Sequence, residues 1–206
     1  MNKKAQQRHP SAVTATLKRG ADIIVSIVAL SILFVPLTIG CCIAAIITRK
    51  NPIYSQPRVG RYNREFTIYK LRTMRPDAEA DGIPRLASPD DSRVTRVGRT
   101  LRKYHLDELP QFWNVLCGDM SLVGPRPERR YFIDRIMESH PEYSLLLQIR
   151  PGITSAGMAD YGYATSLDEM IDRMQFDIRY LDSPTLSTDI KIIYRSLISV
   201  LSGKGI

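Results

Sequence analysis

An uncharged and largely apolar segment, residues 23–47, dominates the N-terminal quarter of this 206-residue chain. At about 1.5 Å per residue, a straight helix of this length would reach roughly 37 Å, which exceeds a bilayer core of about 30 Å. Pro36 stands near its midpoint, where a proline removes a backbone donor and clashes with the carbonyl of Ile32, four residues earlier. No small-residue cleavage site follows, so a signal peptide is excluded. The segment predicts a membrane element of two helical halves that meet at Pro36.

Basic side chains flank this segment on both sides. They precede it at Lys3, Lys4, Arg8, Lys18 and Arg19, and they follow it at Arg49 and Lys50. Lys and Arg are enriched on cytoplasmic flanks, so a helix that enters, bends and returns keeps both flanks on the expected side. A kinked spanning helix is the alternative, and the residues favour re-entry. In either case Ser31 and Thr38 are expected to satisfy backbone groups freed by the proline.

The positive charge of the chain is concentrated just after the apolar segment. Residues 49–103 contain 14 Lys and Arg against 6 Asp and Glu, whereas residues 104–206 carry an excess of acidic side chains. Such a field attracts anionic headgroups, phosphorylated ligands or nucleic acid. The three cysteines show no paired spacing and no Cys/His cluster, so neither a disulfide framework nor a zinc site is expected.

Alternation and turn signals predict the elements that follow. The stretch RVGRYNREFTIYKLRTM alternates polar and apolar residues through Phe66, Ile68 and Leu71, which predicts a strand or hairpin. Residues 76–98 are rich in Pro, Gly, Asp and Ser and predict an irregular loop. A helical pattern begins in VGRTLRKYHL.

Two helices are predicted near the C-terminus. Ser166 with Glu169 three residues later forms a capping-box pattern before the first helix. The apolar stripe of the first helix is Leu167, Met170, Met174, Ile178 and Leu181, and that of the second is Ile190, Ile193, Leu197, Val200 and Leu201. We expect both stripes to pack in the core, with contact to a membrane surface as the alternative.

The stretch LRKYHLDELPQFWNVLCGDMSLVGPRPERR carries the chemistry. Adjacent carboxylates Asp107 and Glu108 precede Pro110 and an apolar helical pattern, which predicts a helix that starts at Asp107. An isolated Asp-Glu pair most often only caps a helix. Arg126 lies between two prolines, and a guanidinium on such a stiff loop suits bidentate phosphate recognition.

The basic residues that accompany this pair change its interpretation. They are Lys70, Arg72, Arg102, Arg126 and Arg150. Carboxylates among such side chains can bind a divalent cation together with phosphate. They can also supply an aspartyl nucleophile that becomes phosphorylated.

Four segments of the chain resemble the bacterial sugar transferases in order and spacing. They are LKRGADIIVSIVALSILFVP, QPRVGRYNREFTIYKLRTM, LRKYHLDELPQFWNVLCGDMSLVGPRP and RPGITS. This family comprises the monotopic phosphoglycosyl transferases, which start glycoconjugate synthesis on a polyprenol carrier. The resemblance extends over residues 17–206, and its most specific part is the block from DELPQ to GPRP.

The resemblance implies a fold and a location. The fold is mixed α/β and mostly helical. Residues 1–50 form an N-terminal segment with a re-entrant membrane helix broken at Pro36, and residues 51–206 form a cytoplasmic catalytic domain with short strands and interfacial helices. The small, minimal form of the family is expected, in the bacterial inner membrane, with both termini cytoplasmic.

The resemblance also implies a reaction. A UDP-sugar donates its sugar 1-phosphate to polyprenol (undecaprenyl) phosphate, UMP leaves, and glycoconjugate or exopolysaccharide synthesis begins. Asp107 is then the nucleophile that carries a covalent phosphosugar, Glu108 assists through metal contact or proton handling, and Mg²⁺ bridges this pair and the diphosphate. The implied substrate-binding positions are Lys70, Arg72, Arg102, Gln111, Arg126 and Arg150.

Two positions depart from the family pattern. Val35 precedes the proline where family members commonly carry Ser. His105 stands two residues before Asp107, where small hydroxyl residues are frequent. A solvated or packed side chain is the favoured interpretation of His105, and a proton relay is the alternative.

Two other function classes compete with the transferase. One is a membrane-tethered basic module that binds nucleic acid or anionic lipid through residues 49–103, although no nucleic-acid motif is present and no nucleic-acid partner is expected. The other is a phosphohydrolase with Asp107 as nucleophile and water as acceptor. The donor sugar is not defined by these motifs. The segment ADYGYATSLDEMIDR resembles members that transfer glucose or galactose 1-phosphate.

Overall fold

A computed structural model of the chain describes residues 12–88 and 90–203. The helices in these ranges are α1 (Ala12–Ile32), α2 (Phe34–Thr48), α3 (Arg96–Lys103), α4 (Gln111–Cys117), α5 (Arg130–Ser139), α6 (Ala156–Asp160), α7 (Leu167–Leu181) and α8 (Leu186–Leu201). The strands are β1 (Ile53–Val59), β2 (Glu65–Leu71), β3 (Ser121–Val123) and β4 (Gly152–Thr154). The predicted mixed α/β, mostly helical fold is confirmed. The basic residues Lys3, Lys4 and Arg8 lie outside the described ranges.

The apolar segment is broken into α1 and α2, which meet at an angle of 64°. The break lies at Leu33, one turn earlier than predicted, and Pro36 is the third residue of α2. The shift has a steric reason, because the proline ring collides with the carbonyl four residues before it, that of Ile32, and α1 ends there. By length and composition no single described helix could cross a bilayer, whereas the bent pair together could.

Ser31 and Thr38 do not take the predicted role at the break. Their hydroxyls donate to the carbonyls of Ile27 and Phe34, at 2.9 and 2.8 Å, and so stay within their own helices. Such back-bonding to the i−4 carbonyl favours bending of a helix. The two hydroxyls therefore accompany the bend without bridging it.

Helix α1 is fixed to the rest of the protein by polar contacts from one face. Lys18 forms an ion pair with the buried Asp189 of α8. Arg19 donates to the carbonyls of Val115 and Leu116 at 2.7 and 3.2 Å, and Asp22 accepts from the Ser121 hydroxyl and the Leu122 amide at 2.7 and 3.1 Å. Asp22 is only 4% exposed, so its contacts replace water that the carboxylate has lost.

Strands β1 and β2 form the predicted hairpin, antiparallel with Gln56 opposite Ile68. The inner face of the hairpin buries Ile68 against Val115 and Met120. The predicted loop is irregular up to Thr95, whose side chain accepts from the Gly98 amide and so caps α3. The predicted helix within VGRTLRKYHL is thus confirmed.

The largest core cluster lies between α5, α7 and the 3-10 segment Pro141–Gln148. Met170 and Met174 of the first predicted stripe are buried in it, so that prediction is confirmed. The capping box is also present. The Ser166 hydroxyl accepts from the Glu169 amide at 3.2 Å, and the Glu169 carboxylate accepts from the Thr165 amide at 2.6 Å.

The second stripe does not pack in the core. Ile190, Leu197 and Leu201 of α8 are 67%, 53% and 73% exposed, so the prediction of core packing was wrong for this helix. The reason lies on the opposite face, where Asp189 accepts from the Tyr180 hydroxyl at 2.6 Å and pairs with Lys18. These buried polar contacts fix the rotation of α8 and turn its apolar stripe outward.

Strands β3 and β4 run parallel and bring two glycines into contact at the start of the Pro-Arg-Pro loop. The Gly152 amide donates to the Pro125 carbonyl at 2.9 Å, and the Gly124 amide donates to the Thr154 carbonyl at 3.1 Å. A Cβ atom at position 124 would lie 2.2 Å from the backbone oxygen of Arg150. Backbone cannot yield here without loss of the strand pair, so this position requires glycine.

We therefore expect Gly124→Ala to destabilise the protein by several kcal/mol, as forced overpacking against backbone does. Thermal unfolding of the detergent-solubilised protein measures the effect. Gly20→Ala is the matched control, since a Cβ there meets nothing within 4 Å and alanine favours the helix. Equal unfolding temperatures of the two variants would contradict the close approach at Gly124.

Candidate active site

The acidic pair lies in a short 3-10 turn, Leu106–Glu108, between α3 and α4. The predicted helix start at Asp107 was wrong, since α4 begins at Gln111 with Pro110 as its N-cap. Pro110 has no N–H to donate to the carbonyl four residues back, so the chain closes tighter i→i+3 bonds here. The amide of Glu108 donates to the His105 carbonyl at 3.1 Å. The two carboxylates are thereby held one turn before the helix.

A cavity of about 320 Å³ opens beside this turn. Its walls come from β2, the irregular loop that follows, α3 and the Pro-Arg-Pro loop. Six of the eight predicted site residues line it, namely Lys70, Arg72, Arg102, Asp107, Glu108 and Arg126.

Gln111 and Arg150 are not among the residues that line this cavity. Gln111 is buried in α4 and is 1% exposed. The Nε of Arg150 donates to the Gly118 carbonyl at 2.8 Å, at the end of α4 that faces Arg19 of α1. The roles of these two residues in substrate binding stay predictions.

Glu108 is the centre of a buried charge cluster. Its Oε1 accepts from Lys70 Nζ at 2.6 Å and from Arg126 Nη2 at 2.9 Å. Burial alone would raise the pKa of Glu108, but these two cations outweigh it and hold the pKa well below its ordinary value. Burial lowers the pKa of Lys70, and Glu108 opposes that shift. Glu108 is therefore ionised at neutral pH and holds both cations in the cavity wall.

Asp107 is in a different state from its neighbour. It is 6% exposed, and no described side chain donates a hydrogen bond to its carboxylate. Burial, and next the charge of Glu108, raise the pKa of Asp107 to about 6. The carboxylate of Glu108 is thus engaged by cations, whereas that of Asp107 has no cation partner among the described residues. Such a difference in environment allows two neighbouring acids to take different chemical roles.

Two further cations that line the cavity, Arg102 and Arg72, are held by neutral acceptors. Arg102 donates through Nε to the Thr73 hydroxyl at 2.9 Å. Arg72 donates to the Asn51 carbonyl at 2.8 Å, and its guanidinium lies 5.5 Å from the centre of the Tyr54 ring. Because a neutral partner leaves their charge uncompensated, these guanidinium groups favour an anionic ligand.

Further cavity residues were missed by the sequence analysis. Glu128 accepts from Arg173 at 2.6 Å and pairs with Arg58 at 3.3 Å, and all three line the cavity. Arg173 is 6% exposed, although it lies outside the apolar stripe that was predicted for α7. The one available signal was the position of Glu128, directly after the Pro-Arg-Pro loop.

His105 and Tyr163 form a contact next to the acidic pair. Tyr163 lines the cavity, its hydroxyl lies 3.1 Å from His105 Nδ1, and its ring centre lies 5.4 Å from the Arg126 guanidinium. The pKa of His105 is lowered by burial. Of the two interpretations of His105, the structure supports a packed side chain.

The carboxylates of the site fit a magnesium ion that is coordinated partly by the protein and partly by a substrate. Within residues 12–88 and 90–203 no group of three or more His, Cys, Asp or Glu side chains could enclose a metal. Mg²⁺ does not need one, because it keeps several waters and binds through one or two carboxylates plus substrate phosphate oxygens. The adjacent carboxylates Asp107 and Glu108 would supply these protein ligands, and the cavity cations favour the substrate phosphate.

A cavity with a buried acidic pair among lysine and arginine side chains is of the class that binds phosphorylated ligands. Comparison with known proteins agrees with this class. The sequence profile of the family described as bacterial sugar transferase matches residues 13–203. The chain belongs to the bacterial sugar transferase family, and the resemblance stated above is confirmed.

Curated relatives are similar over most of this chain. A UDP-N-acetylgalactosamine-undecaprenyl-phosphate N-acetylgalactosaminephosphotransferase of Aeromonas hydrophila is 40% identical over 95% of this chain and 46% of its own length. A UDP-glucose:undecaprenyl-phosphate glucose-1-phosphate transferase of Escherichia coli K12 is 36% identical over 89% of this chain and 40% of its own length. A protein of the same name from Caulobacter vibrioides is 37% identical over 94% of this chain and 73% of its own length. The chain thus spans less than half the length of the first two relatives and about three quarters of the third.

The raised pKa of Asp107 predicts a stability gain on its neutralisation. A shift from 3.8 to about 6 corresponds to roughly 3 kcal/mol. Well below pH 4 Asp107 is protonated in both states and costs nothing. Between about pH 4 and pH 6 the unfolded state has lost the proton and the folded state still holds it, so the free energy of unfolding falls, and above about pH 6 the full penalty is present. Without Mg²⁺ at pH 8, Asp107→Asn should therefore unfold at a higher temperature than the wild type. Its free energy of unfolding should be greater by up to roughly 3 kcal/mol.

Thermal unfolding at pH 8 and at pH 4.5 measures this difference in stability, which should fall to about a third at the lower pH. Glu108→Gln is the contrasting control. It leaves Lys70 and Arg126 without an anionic partner and should lower stability at pH 8. The same gain for Asp107→Asn at both pH values would contradict a raised pKa.

Proposed function

We propose that the chain transfers a sugar 1-phosphate from a UDP-sugar to polyprenol (undecaprenyl) phosphate and releases UMP, the step that starts glycoconjugate or exopolysaccharide synthesis. The observation that carries the proposal is the buried, unpaired carboxylate of Asp107 beside a Glu108 engaged by Lys70 and Arg126. Membership of the family and the names of the relatives support the same reaction. The relatives' names point to glucose and N-acetylgalactosamine as the first donor sugars to test.

The chemistry begins at Asp107. One carboxylate oxygen attacks the phosphorus that bears the sugar, a bond forms between them, and the diphosphate bond breaks so that UMP leaves with the bonding electron pair. In the second half-reaction a phosphate oxygen of the lipid attacks the same phosphorus, and Asp107 is released as a carboxylate. Nucleophilic attack requires Asp107 to be ionised, which its pKa of about 6 provides at neutral pH.

The cavity cations stabilise the charge that builds up during transfer. Arg126 presents a planar donor fork, and Lys70 presents a point charge, both on the side of Glu108. Glu108 positions these two donors through its Oε1 and would share a metal with Asp107. Mg²⁺ held by the two carboxylates would neutralise charge on the donor diphosphate and its leaving group.

Covalent catalysis predicts that the donor reacts in the absence of lipid. Wild-type protein incubated with UDP-sugar and Mg²⁺ should release about one UMP per active molecule and gain the mass of a sugar phosphate. Asp107→Asn should lose both, because the attacking oxygen no longer carries charge. Intact-protein mass spectrometry with rapid sampling measures the adduct, and Glu108→Gln should form some adduct slowly.

Two alternatives give different results in this experiment. If Asp107 only holds the metal while the lipid phosphate attacks the donor directly, no adduct forms in a preparation that turns over with lipid. An aspartyl-phosphate hydrolase releases product without lipid beyond one equivalent, and a basic binding module releases no UMP. Absence of the adduct from active enzyme would overturn the covalent route.

We also propose that α1 and α2 form a re-entrant membrane helix within residues 1–50, and that residues 51–206 form the catalytic domain on the cytoplasmic face of the bacterial inner membrane. The bend of 64° at Leu33 and the basic flanks at Lys18 and Arg49 support this placement. The outward apolar stripe of α8 supports an interfacial helix, since α8 is tied to α1 through Asp189 and Lys18.

Re-entry predicts that both ends of the bent pair face the cytoplasm. In a cysteine-free background, Val13→Cys and Lys50→Cys should both resist a membrane-impermeant maleimide in intact spheroplasts and react after lysis. Labelling of only one of them before lysis would establish a spanning helix. Pro36→Ala restores a backbone donor and removes the clash at Ile32, so a fraction of Val13→Cys molecules should become accessible from outside.

A further inference from the structure

His105 occupies a strained position next to the acidic pair. Its backbone lies in the left-handed region, with φ of 54°, which a non-glycine residue adopts only at a cost. Such a strained backbone persists only where surrounding contacts hold the residue in place. Here the carbonyl of His105 accepts from the Glu108 amide, and its side chain contacts Tyr163. The residue is therefore held from both its backbone and its ring.

The two ring nitrogens of His105 have different surroundings. Nδ1 lies 3.1 Å from the Tyr163 hydroxyl, and the rings are inclined by 31° at a centroid distance of 5.7 Å. Nε2 is buried and has no hydrogen-bond partner among the described residues. Desolvation of an unpaired ring nitrogen costs free energy, so the contact through Nδ1 must offset it.

Tyr163 connects this histidine to the cavity. It lines the cavity, and its ring faces the Arg126 guanidinium at 5.4 Å. Burial raises the pKa of Tyr163, so the phenol keeps its proton at neutral pH. A phenol has one proton to donate and also accepts, so the direction of its bond with His105 decides where that proton points.

We propose that His105 is a positioning residue that donates from Nδ1–H to the Tyr163 oxygen and so directs the Tyr163 hydroxyl proton into the cavity, toward an oxygen of the phosphosugar donor. This inference rests on the proposed function for the identity of the ligand. In this arrangement Tyr163 binds substrate beside Arg126, and His105 acts only through Tyr163. The opposite bond direction would consume the phenol proton within the protein and leave the cavity without a neutral donor at this position.

Four variants separate this role from packing. Tyr163→Phe removes the hydroxyl and keeps the ring, and His105→Gly removes the imidazole where glycine readily adopts a positive φ. His105→Asn tolerates the same backbone conformation and places an amide near the position of Nδ1, so it can still donate. The double variant combines His105→Gly with Tyr163→Phe. His140→Gly is the matched control, because its Nδ1 contacts the Ser139 hydroxyl in an exposed pair away from the cavity residues.

Steady-state turnover with UDP-sugar, Mg²⁺ and polyprenol phosphate gives the first measurement. We expect His105→Gly and Tyr163→Phe each to lower kcat/KM for the donor about three- to tenfold, the range of one neutral hydrogen bond. The double variant should be no worse than Tyr163→Phe, since both changes remove one donated proton. His105→Asn should retain most of the activity. Three results would overturn the proposal. The losses in kcat/KM of the two single variants could multiply in the double variant, or His105→Gly could keep wild-type activity. His105→Gly and His105→Asn could also lose activity equally.

The protonated nitrogen is observable without any substrate. The chain has three histidines, so ¹⁵N-histidine labelling gives three pairs of ring-nitrogen signals, and loss of one pair in His105→Asn assigns it. We expect the Nδ1–H tautomer for His105 and a shift in its signal in Tyr163→Phe. An Nε2–H tautomer would overturn the proposal even in active enzyme. Failure of the wild type to transfer any sugar phosphate would instead contradict the proposed function, and the tautomer would still decide the role of His105.

Discussion

One carboxylate oxygen, Oε1 of Glu108, holds the site together. It accepts from Lys70 on β2 and from Arg126 on the Pro-Arg-Pro loop, so three separate parts of the chain converge on one buried negative charge. Removal of that charge would leave two desolvated cations without a partner. The same pairing explains the unequal pair of acids. Lys70 and Arg126 are engaged by Glu108 and not by Asp107, and burial together with the charge of Glu108 raises the pKa of Asp107 to about 6.

A second constraint is the polar attachment of α1 to α4, β3 and α8. Lys18, Arg19 and Asp22 lie within five positions, on one helical face, directly before the apolar segment begins. Arg19 binds the carbonyls at the end of α4, the helix that follows the acidic pair. The orientation of the apolar helices is therefore linked to the geometry of the site through a single short helix.

Much of the fold follows from local pattern. The hairpin, α3, α7 and α8 were all predicted, because alternation, capping residues and apolar periodicity are properties of neighbouring residues. Errors arose where a distant contact decided the outcome. The stripe of α8 was assigned to the core, yet the pairing of Asp189 with Lys18, 171 positions away, turns it outward. The helix predicted from Asp107 begins only at Gln111, because Pro110 has no N–H to donate to the carbonyl four residues back.

The site was predictable to a similar extent. Six of the eight proposed residues meet in the cavity because the motifs that contain them are specific. The ion pairs of Glu128 with Arg58 and Arg173 were not found, since the residues lie 70 and 45 positions apart and only packing joins them. The partnership of His105 with Tyr163, 58 positions away, was hidden for the same reason, although His105 itself stood out as an unusual residue.

The bend at Leu33 has a consequence for the lipid around the protein. From Ile23 to Ile32 the apolar part of α1 measures about 15 Å, roughly half of a bilayer core. In the proposed re-entrant arrangement the two helices act as a wedge that occupies area in one leaflet only. Each molecule would then expand the inner monolayer relative to the outer one, so local curvature and the lateral pressure of the headgroups would affect how strongly the protein is retained. In that arrangement, the shape of the bent pair would link the protein's retention to the mechanical state of the surrounding bilayer.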